Sequence, residues 1–423
     1  MNEIGQWIQL GFDAVLMTTF VLSTLYYALT LGALALRRGR RRALSAPSAP
    51  LPSVTVQIPT YNELAALRCA ERCLAFDYPE DRLQILIGDD SNRPEISAQL
   101  DAFADRHPRV EICRRGNNSG FKPGNLNHML QRTSGDYILV LDSDFLPERD
   151  FLAALVQPVL RDPTLAGVQA AWRITNLHQS LTTRMGAAII HIIHIVILPF
   201  IHRFAHTAVF CGSAELIRTD RLVEQGGWTP GAFTEDVDFS LRLISRGERI
   251  AYLEDVPCDC EVPYTPRDLF RQQMRWAYGV IRAFLAHGRG LLSSRMARTR
   301  TKLAALCFGS GYLMVSCFIL TVLLGLLHTA WVWSAEGGSP ALAGSVPHGV
   351  AQFLLTCGIL VSSLCASFVA GAGYRNVAKL AVASLTIGLI LVYFVGQGMF
   401  KALFGLPMHW FMVRKNGNAL ASA

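Results

Sequence analysis

The chain has 423 residues, 51% of them hydrophobic, and a mean hydropathy of +0.30 excludes a wholly soluble protein. Its net charge of +7 lies largely in two basic clusters beside apolar runs, which suits a membrane surface and gives no reason to expect a nucleic-acid partner. The 10 cysteines are scattered; Cys258 and Cys260 have the wrong spacing for a zinc knuckle and Cys69 with Cys73 lacks a second pair, so neither a structural metal nor a disulfide framework is expected.

Four apolar runs approach the roughly 20 residues that cross a bilayer: 14–36, 303–327, 350–372 and 380–400. The first has no basic residue ahead of it and is followed by Arg37, Arg38, Arg40, Arg41 and Arg42, the reverse of a secretory signal, so an uncleaved anchor with its N-terminus outside is predicted. Arg289, Arg295, Arg298, Arg300 and Lys302 precede the second run, and both edges therefore put the region between them in the cytoplasm. The expected divisions are an N-terminal transmembrane anchor (1–42), a cytoplasmic domain with interfacial helices (43–302) and a C-terminal transmembrane region (303–423). Four full spans would leave Arg414 and Lys415 outside, against the positive-inside tendency; the segment 396–412, broken by Gly398, Gly405 and Pro407, is the part that can dip back or lie along the surface instead.

After a proline-broken linker at 45–50, an alternating β-branched strand at 54–59 ends in the turn Thr60-Tyr61-Asn62-Glu63. A helix over 64–76 leads to a strand at 83–87 that runs into Gly88-Asp89-Asp90-Ser91. A helix at 95–106, a strand at 110–112, a Gly- and Asn-rich turn and a helix near 125–131 follow. The apolar run Tyr137-Ile138-Leu139-Val140-Leu141 then drives into Asp142-Ser143-Asp144. This alternation predicts an α/β domain with right-handed crossovers and a mostly parallel sheet. Ligands gather at the carboxyl ends of such strands, which is where Tyr61 to Glu63, Asp89 with Asp90, and Asp142 with Asp144 all fall. Asp142 and Asp144 form either an exposed acidic turn or the ligands of a hard cation, Mg²⁺ or Mn²⁺, with open positions for nucleotide phosphates.

Lys122, in the turn Gly120-Phe121-Lys122-Pro123-Gly124 before a helix, is either a solvated loop lysine or a charge for a diphosphate. His191, His194, His202 and His206 fall within one third of a helix circumference at about 100° per residue. An amphipathic helix in the membrane interface, interrupted at Pro199, accounts for them better than a metal site, since no carboxylate accompanies them. Phe210-Cys211-Gly212-Ser213 precedes Thr234-Glu235-Asp236, where Asp236 opens an amphipathic helix as either a cap or a general base whose protonation Glu235 keeps poised. Gln272, Arg275 and Trp276 share a helix face, offering a phosphate-pairing guanidinium and an indole that is either packing or a platform for a sugar ring.

Together these motifs, over about 54–279, resemble the membrane-embedded processive family 2 glycosyltransferases, the synthases of cellulose, mannan, chitin and hyaluronan. The resemblance implies a glycosyltransferase A type nucleotide-sugar-binding domain. Its donor, a UDP-sugar or other nucleotide-sugar, would be bound by Thr60, Tyr61, Glu63, Asp89 or Asp90, Lys122, Asp142, Asp144, Gln272 and Arg275, with Mg²⁺ or Mn²⁺ on Asp142 and Asp144. Asp236 with Glu235 would be catalytic, and Phe210, Cys211, Gly212, Ser213 and Trp276 would bind the growing glycan acceptor, so that a β-linked glucan or mannan is polymerised and extruded. Ser91 after Asp90, in place of a glycine common in cellulose synthases, leans toward the mannan branch, and an end at Ala423 leaves no room for a cyclic-dinucleotide-reading domain. The principal rival is transfer of a single sugar to a membrane lipid, a polyprenyl phosphate or ceramide-like acceptor. A transporter with a cytoplasmic regulatory domain is disfavoured because the spans carry few ionisable residues.

Overall fold

The computed structural model describes residues 3–36, 50–336 and 355–411. The arginine cluster 37–42, most of the linker 45–50, the start of the run 350–372 and the pair Arg414 and Lys415 lie outside the described residues.

The expected parallel core consists of β1 (Val54–Thr60), β2 (Leu83–Asp89), β3 (Val110–Arg114) and β4 (Tyr137–Val140). Further on come β5 (Leu165–Ile174), β6 (Glu215–Arg218) and β7 (Arg249–Cys260), giving one sheet in the order β3-β2-β1-β4-β6-β5-β7. Every residue of β1 is buried because helices cover both faces. Val56 and Ile58 meet Ala66, Cys69 and Cys73 of the Ala65–Leu74 helix on one side, while Leu126 and Met129 of the Phe121–Leu130 helix belong to the core on the other. This is the double coverage that the unbroken apolar character of the strands anticipates.

Register decides where the acids arrive. Thr60 lies opposite Asp89, and Leu141 N donates to Gln57 O at 3.1 Å, so β1, β2 and β4 discharge their following turns at one edge. β6 alone runs against its neighbours, pairing Val140 with Glu215. An antiparallel strand presents its N-terminal end at the edge where parallel strands present their C-terminal ends. The segment 210–214 therefore reaches the same edge as Asp142.

By length and composition, four helical segments can cross a membrane: Glu3–Ala35, Leu181–Ala205, Thr299–Ser334 and Gly358–Leu385, the last kinked at Gly371 (φ +86°). One expectation is corrected here. The run 380–400 is not one span: the chain breaks at Thr386 (φ −117°, ψ −81°), and the 17-residue helix Ile387–Leu403 follows separately. The segment 181–205 keeps a helical course through Pro199. It starts in a capping box between Ser180 and Thr183, and a π-helical stretch at Ile192–Ile197 carries it up to Pro199, whose missing N–H leaves no regular α bond there. In its most apolar window, 67% of the residues are buried. Its histidines have separate partners: His191 Nδ1 is 3.2 Å from Ser367 Oγ, the His194 ring stacks on Trp172 at 4.9 Å, and His202 Nδ1 accepts from Tyr252 N at 3.3 Å. Among the described residues no three His, Cys, Asp or Glu side chains gather as a metal set.

The Pro266–Ser293 helix joins the catalytic face to this bundle by packing on Ile387–Leu403. A Cβ at Gly398 would lie 2.3 Å from the Met274 carbonyl oxygen, so only glycine permits this approach. Gly398→Val is expected to cost about 1–3 kcal/mol through overpacking. Thermal unfolding in detergent should show a midpoint several degrees below wild type, and an unchanged midpoint would mean that the two helices do not pack this closely.

Candidate active site

At the carboxyl edge the sheet opens on a cavity of about 720 Å³ that continues between the apolar helices. Its wall includes Thr60, Tyr61, Glu63, Asp90, Lys122, Asp142, Asp144, Cys211, Gly212, Glu235, Asp236, Gln272, Arg275 and Trp276. Three residues singled out from the sequence are not in that wall. Asp89 is turned inward, where it accepts from Ser91 N (2.9 Å), Ser97 Oγ (2.7 Å) and Arg114 Nε (2.9 Å). Burial alone would raise its carboxyl, yet those hydrogen bonds hold it below the ordinary carboxylate range. Phe210 is fully buried against Phe239, and Ser213 stands behind Asp142, its Oγ accepting from Asp142 N at 2.9 Å. The segment ahead of β6 is an irregular turn, with Gly212 at φ +87°, in which Cys211 and Gly212 reach the cavity while Phe210 and Ser213 lie behind it.

The turns are tied to each other. Asn62, at φ +54°, adopts the left-handed conformation that asparagine tolerates, and its N–H donates to Ser91 Oγ at 2.8 Å. Ser143 Oγ donates to the Glu63 carboxylate, and Asp144 Oδ2 accepts from Glu261 N at 3.3 Å. Arg115, which the sequence reading missed, grips Asp90 through Nε (2.8 Å) and Nη2 (2.5 Å) and also donates to Phe121 O at 3.2 Å. Burial pushes the Asp90 carboxyl up and Arg115 opposes it.

Lys122 lies at the centre. Its Nζ is 2.8 Å from Asp142 Oδ1 and 3.0 Å from Glu235 Oε1, and it donates to Gly212 O at 2.6 Å. Burial by itself would favour the neutral amine, but Asp142 and Glu235 outweigh it and keep the ammonium charged. Its charge is thus shared among carboxylates, where the sequence suggested a free cation for a diphosphate. Asp236 is only 9% exposed and forms no ion pair among the described residues; burial first, then the Glu235 charge, push its carboxyl up to about 7 against the pull of Lys122. Gly212 makes room for this arrangement. At φ +87° it takes a conformation that side chains avoid, and a Cβ there would meet Asp236 Oδ2 at 3.4 Å and Lys122 Nζ at 3.5 Å.

Glu215 also escaped the sequence reading. It is fully buried on β6, one oxygen accepts from Gly212 N at 3.0 Å, and the other has no partner among the described residues. Burial, reinforced by Asp236, pushes its carboxyl well up. An acid between Ala214 and Leu216 in a short apolar strand was the available signal.

The Pro266–Ser293 helix approaches Thr234 so closely that a Cβ at Gly279 would fall 2.6 Å from Thr234 Cγ2. That contact sets Arg275 beside the Glu235–Asp236 turn, where Nη1 donates to Phe233 O at 2.9 Å and Nε is buried without a partner among the described residues. Trp410 stacks on Phe121 and Phe233 and lies under the Arg275 guanidinium at 4.4 Å, while Phe411 faces Arg271 at 4.7 Å. The segment after Pro407 thus returns to the site, one of the two courses open to it from sequence.

Comparison with known proteins identifies the machinery. The family described as "Glycosyltransferase like family 2" matches residues 52–279. The chain belongs to glycosyltransferase family 2. It is 32% identical over 247 residues to glucomannan 4-beta-mannosyltransferase 2 of Arabidopsis thaliana, covering 56% of this chain and 46% of the relative. A probable glucomannan 4-beta-mannosyltransferase 3 of Oryza sativa is 31% identical over 255 residues, covering 58% and 46% respectively. The chain therefore spans about half the length of the curated relatives it matches. A mannosyltransferase from Pyrobaculum calidifontis, solved with GDP-Man and Mn²⁺, superposes with a TM-score of 0.62 at 20% identity, covering 94% of this chain and 99% of that one. This glycosyltransferase thus has the A type fold expected from its motifs, with apolar helices attached.

Since Glu235 raises the Asp236 carboxyl, Glu235→Gln should lower its pKa. The acidic limb of the pH–rate profile for donor turnover is expected to move to lower pH than in wild type. A limb that stays in place would show that the titrating group is not Asp236.

Proposed function

We propose that this enzyme transfers a hexosyl unit from a nucleoside-diphosphate sugar to an acceptor hydroxyl with inversion, giving a β-linked product. The observation that carries this reading is Asp236: a buried carboxyl pushed up to about 7, in the wall of the same cavity as Asp142, Asp144 and Lys122. Such a group can take a hydroxyl proton near neutral pH without being consumed by a neighbouring cation. The acceptor oxygen attacks the anomeric carbon, its proton passes to Asp236, and the bond from that carbon to the diphosphate oxygen breaks as the nucleoside diphosphate leaves. Positioning contributes much of the rate in such an in-line displacement.

Asp90, Tyr61 and Glu63 stand where the nucleoside end would rest, and the unpartnered Arg275 N–H suits an anionic oxygen of the donor. Asp142 and Asp144 are the two residues that would hold Mg²⁺ or Mn²⁺. Two carboxylates fit such an ion, because hard divalent cations in nucleotide sites complete their shell with phosphate oxygens and water. When bound, the ion would neutralise charge on the departing diphosphate. The similar mannosyltransferases, one of them solved with GDP-Man, make GDP-mannose the first donor to test, with UDP-hexoses beside it. The basic residues at both edges of the domain support a cytoplasmic catalytic face, where nucleotide sugars are found.

Asp236→Asn should bind donor with near-normal affinity while transfer falls by roughly 10²-fold or more, the range for losing a general base. In wild type the base must be deprotonated, so transfer should decline as pH falls below about 7. Isothermal titration with GDP-mannose and product assays across pH test both statements. Equal losses in binding and transfer would reduce Asp236 to a structural cap, and full wild-type activity in EDTA would remove the metal.

A further inference from the structure

The cavity does not end at Asp236. It continues past Trp276 and Tyr312 between the helices Leu181–Ala205, Thr299–Glu336, Gly358–Ser367 and Ile387–Leu403. The wall there changes character. Ile189, Ile193, Val315, Leu360, Leu389 and Val392 are all aliphatic, and all come from these apolar helices. The serines among them are spent within their own helices: Ser363 Oγ donates to Ile359 O at 2.7 Å and Ser384 Oγ to Leu380 O at 2.9 Å.

A growing polysaccharide carries several hydroxyls on every sugar, and beyond Gln272, Gln273 and Tyr312 each would give up water for a mostly aliphatic wall. Hydrocarbon loses nothing in the same place and gains by burial. At the inner end the chemistry reverses, because Asp236, Glu235 and Asp142 surround the point of transfer. Lys122 offsets Asp142 and Glu235, so charge alone does not choose the acceptor; an anionic head, however, would have no proton for Asp236 to take. A neutral hydroxyl has that proton and needs the base.

We infer that the acceptor is a neutral lipid alcohol, such as a diacylglycerol or ceramide, whose tail occupies the aliphatic end of the cavity and whose hydroxyl is presented to Asp236. This inference rests on the donor and base assignments proposed for the same site. It replaces extrusion of a glycan with glycosylation of a membrane lipid, and it explains why a catalytic cavity is continuous with the interior of the helical bundle. Trp276, at the junction, lies where the lipid head would pass.

The test uses full-length protein in nanodiscs with sugar-labelled GDP-mannose and a panel of UDP-hexoses. The acceptors are long- and short-chain diacylglycerol, long- and short-chain ceramide, a long polyprenyl phosphate and soluble mannooligosaccharides. Label should enter the organic phase on one or both lipid alcohols, with mass spectrometry showing the added hexose. Long chains should exceed short ones by about tenfold or more, since each buried methylene strengthens binding. The comparison of the two lipid alcohols identifies the backbone that is used. Gly388→Phe adds a second arm: Gly388 lines the cavity, a Cβ there would lie 3.6 Å from Met185 Cε, and a larger ring should lower the ratio of long- to short-chain transfer. Indifference to chain length, preference for the polyprenyl phosphate, or soluble polymer as the main product each overturns the inference. Donor hydrolysis by water with no lipid product overturns it while leaving the donor reading intact, whereas no turnover of any nucleotide hexose removes both.

Discussion

A buried ammonium among buried carboxylates is the constraint on which the rest of this site depends. Lys122 is the counter-charge for Asp142 and Glu235, and it accounts for why so many acids tolerate one desolvated cavity wall. Its reach is limited, and that limit separates the roles. Glu235 is in direct contact, whereas Asp236 has no ion pair with it and keeps a carboxyl raised by burial. Two adjacent acids on one turn thus differ because one is paired and the other is not. Replacing Lys122 with a neutral residue would leave uncompensated buried charge, which protonation of the acids themselves would relieve.

The fold assembles these groups by ending strands, not by bending them. Parallel β1, β2 and β4 bring Thr60, Asp90 and Asp142 to one edge, and the reversed β6 brings Gly212 there from the opposite chain direction. Gly212 supplies the positive φ that this turn requires, and Ser213 holds the backbone of Asp142. A parallel strand in place of β6 would send this segment to the far edge of the sheet.

Sequence made the first half of the domain legible because its strands are apolar on both faces and end in paired acids. Helix, strand and acid repeat with little between them, so the carboxyl edge could be located before any coordinate. What escaped depends on contacts between distant segments. Arg115 looks like any loop arginine until Asp90 is found beside it, and the direction of β6 is not written in four residues. Asp89 and Asp90 are chemically identical neighbours, and the alternation of a strand end turns one toward Arg114 and the other toward the cavity. The run 380–400 divides for a related reason: hydropathy counts residues but does not register the break at Thr386 or the glycine contact at Gly398.

Glycine contacts also connect the candidate site to the apolar helices. Gly398 lets Ile387–Leu403 lie on the backbone at Met274, and five residues further along that helix Gly279 lets it lie on Thr234, immediately before Glu235 and Asp236. The acidic turn is therefore pressed from behind by a helix that is itself seated on the apolar bundle. Burial is the first cause of the raised Asp236 carboxyl, so the packing of these helices helps set the protonation of the proposed base. Loosening either contact would admit water and lower that pKa before it removed any catalytic atom. In this enzyme the apolar helices are more than candidate membrane spans: they supply part of the low-dielectric wall that the proposed chemistry requires.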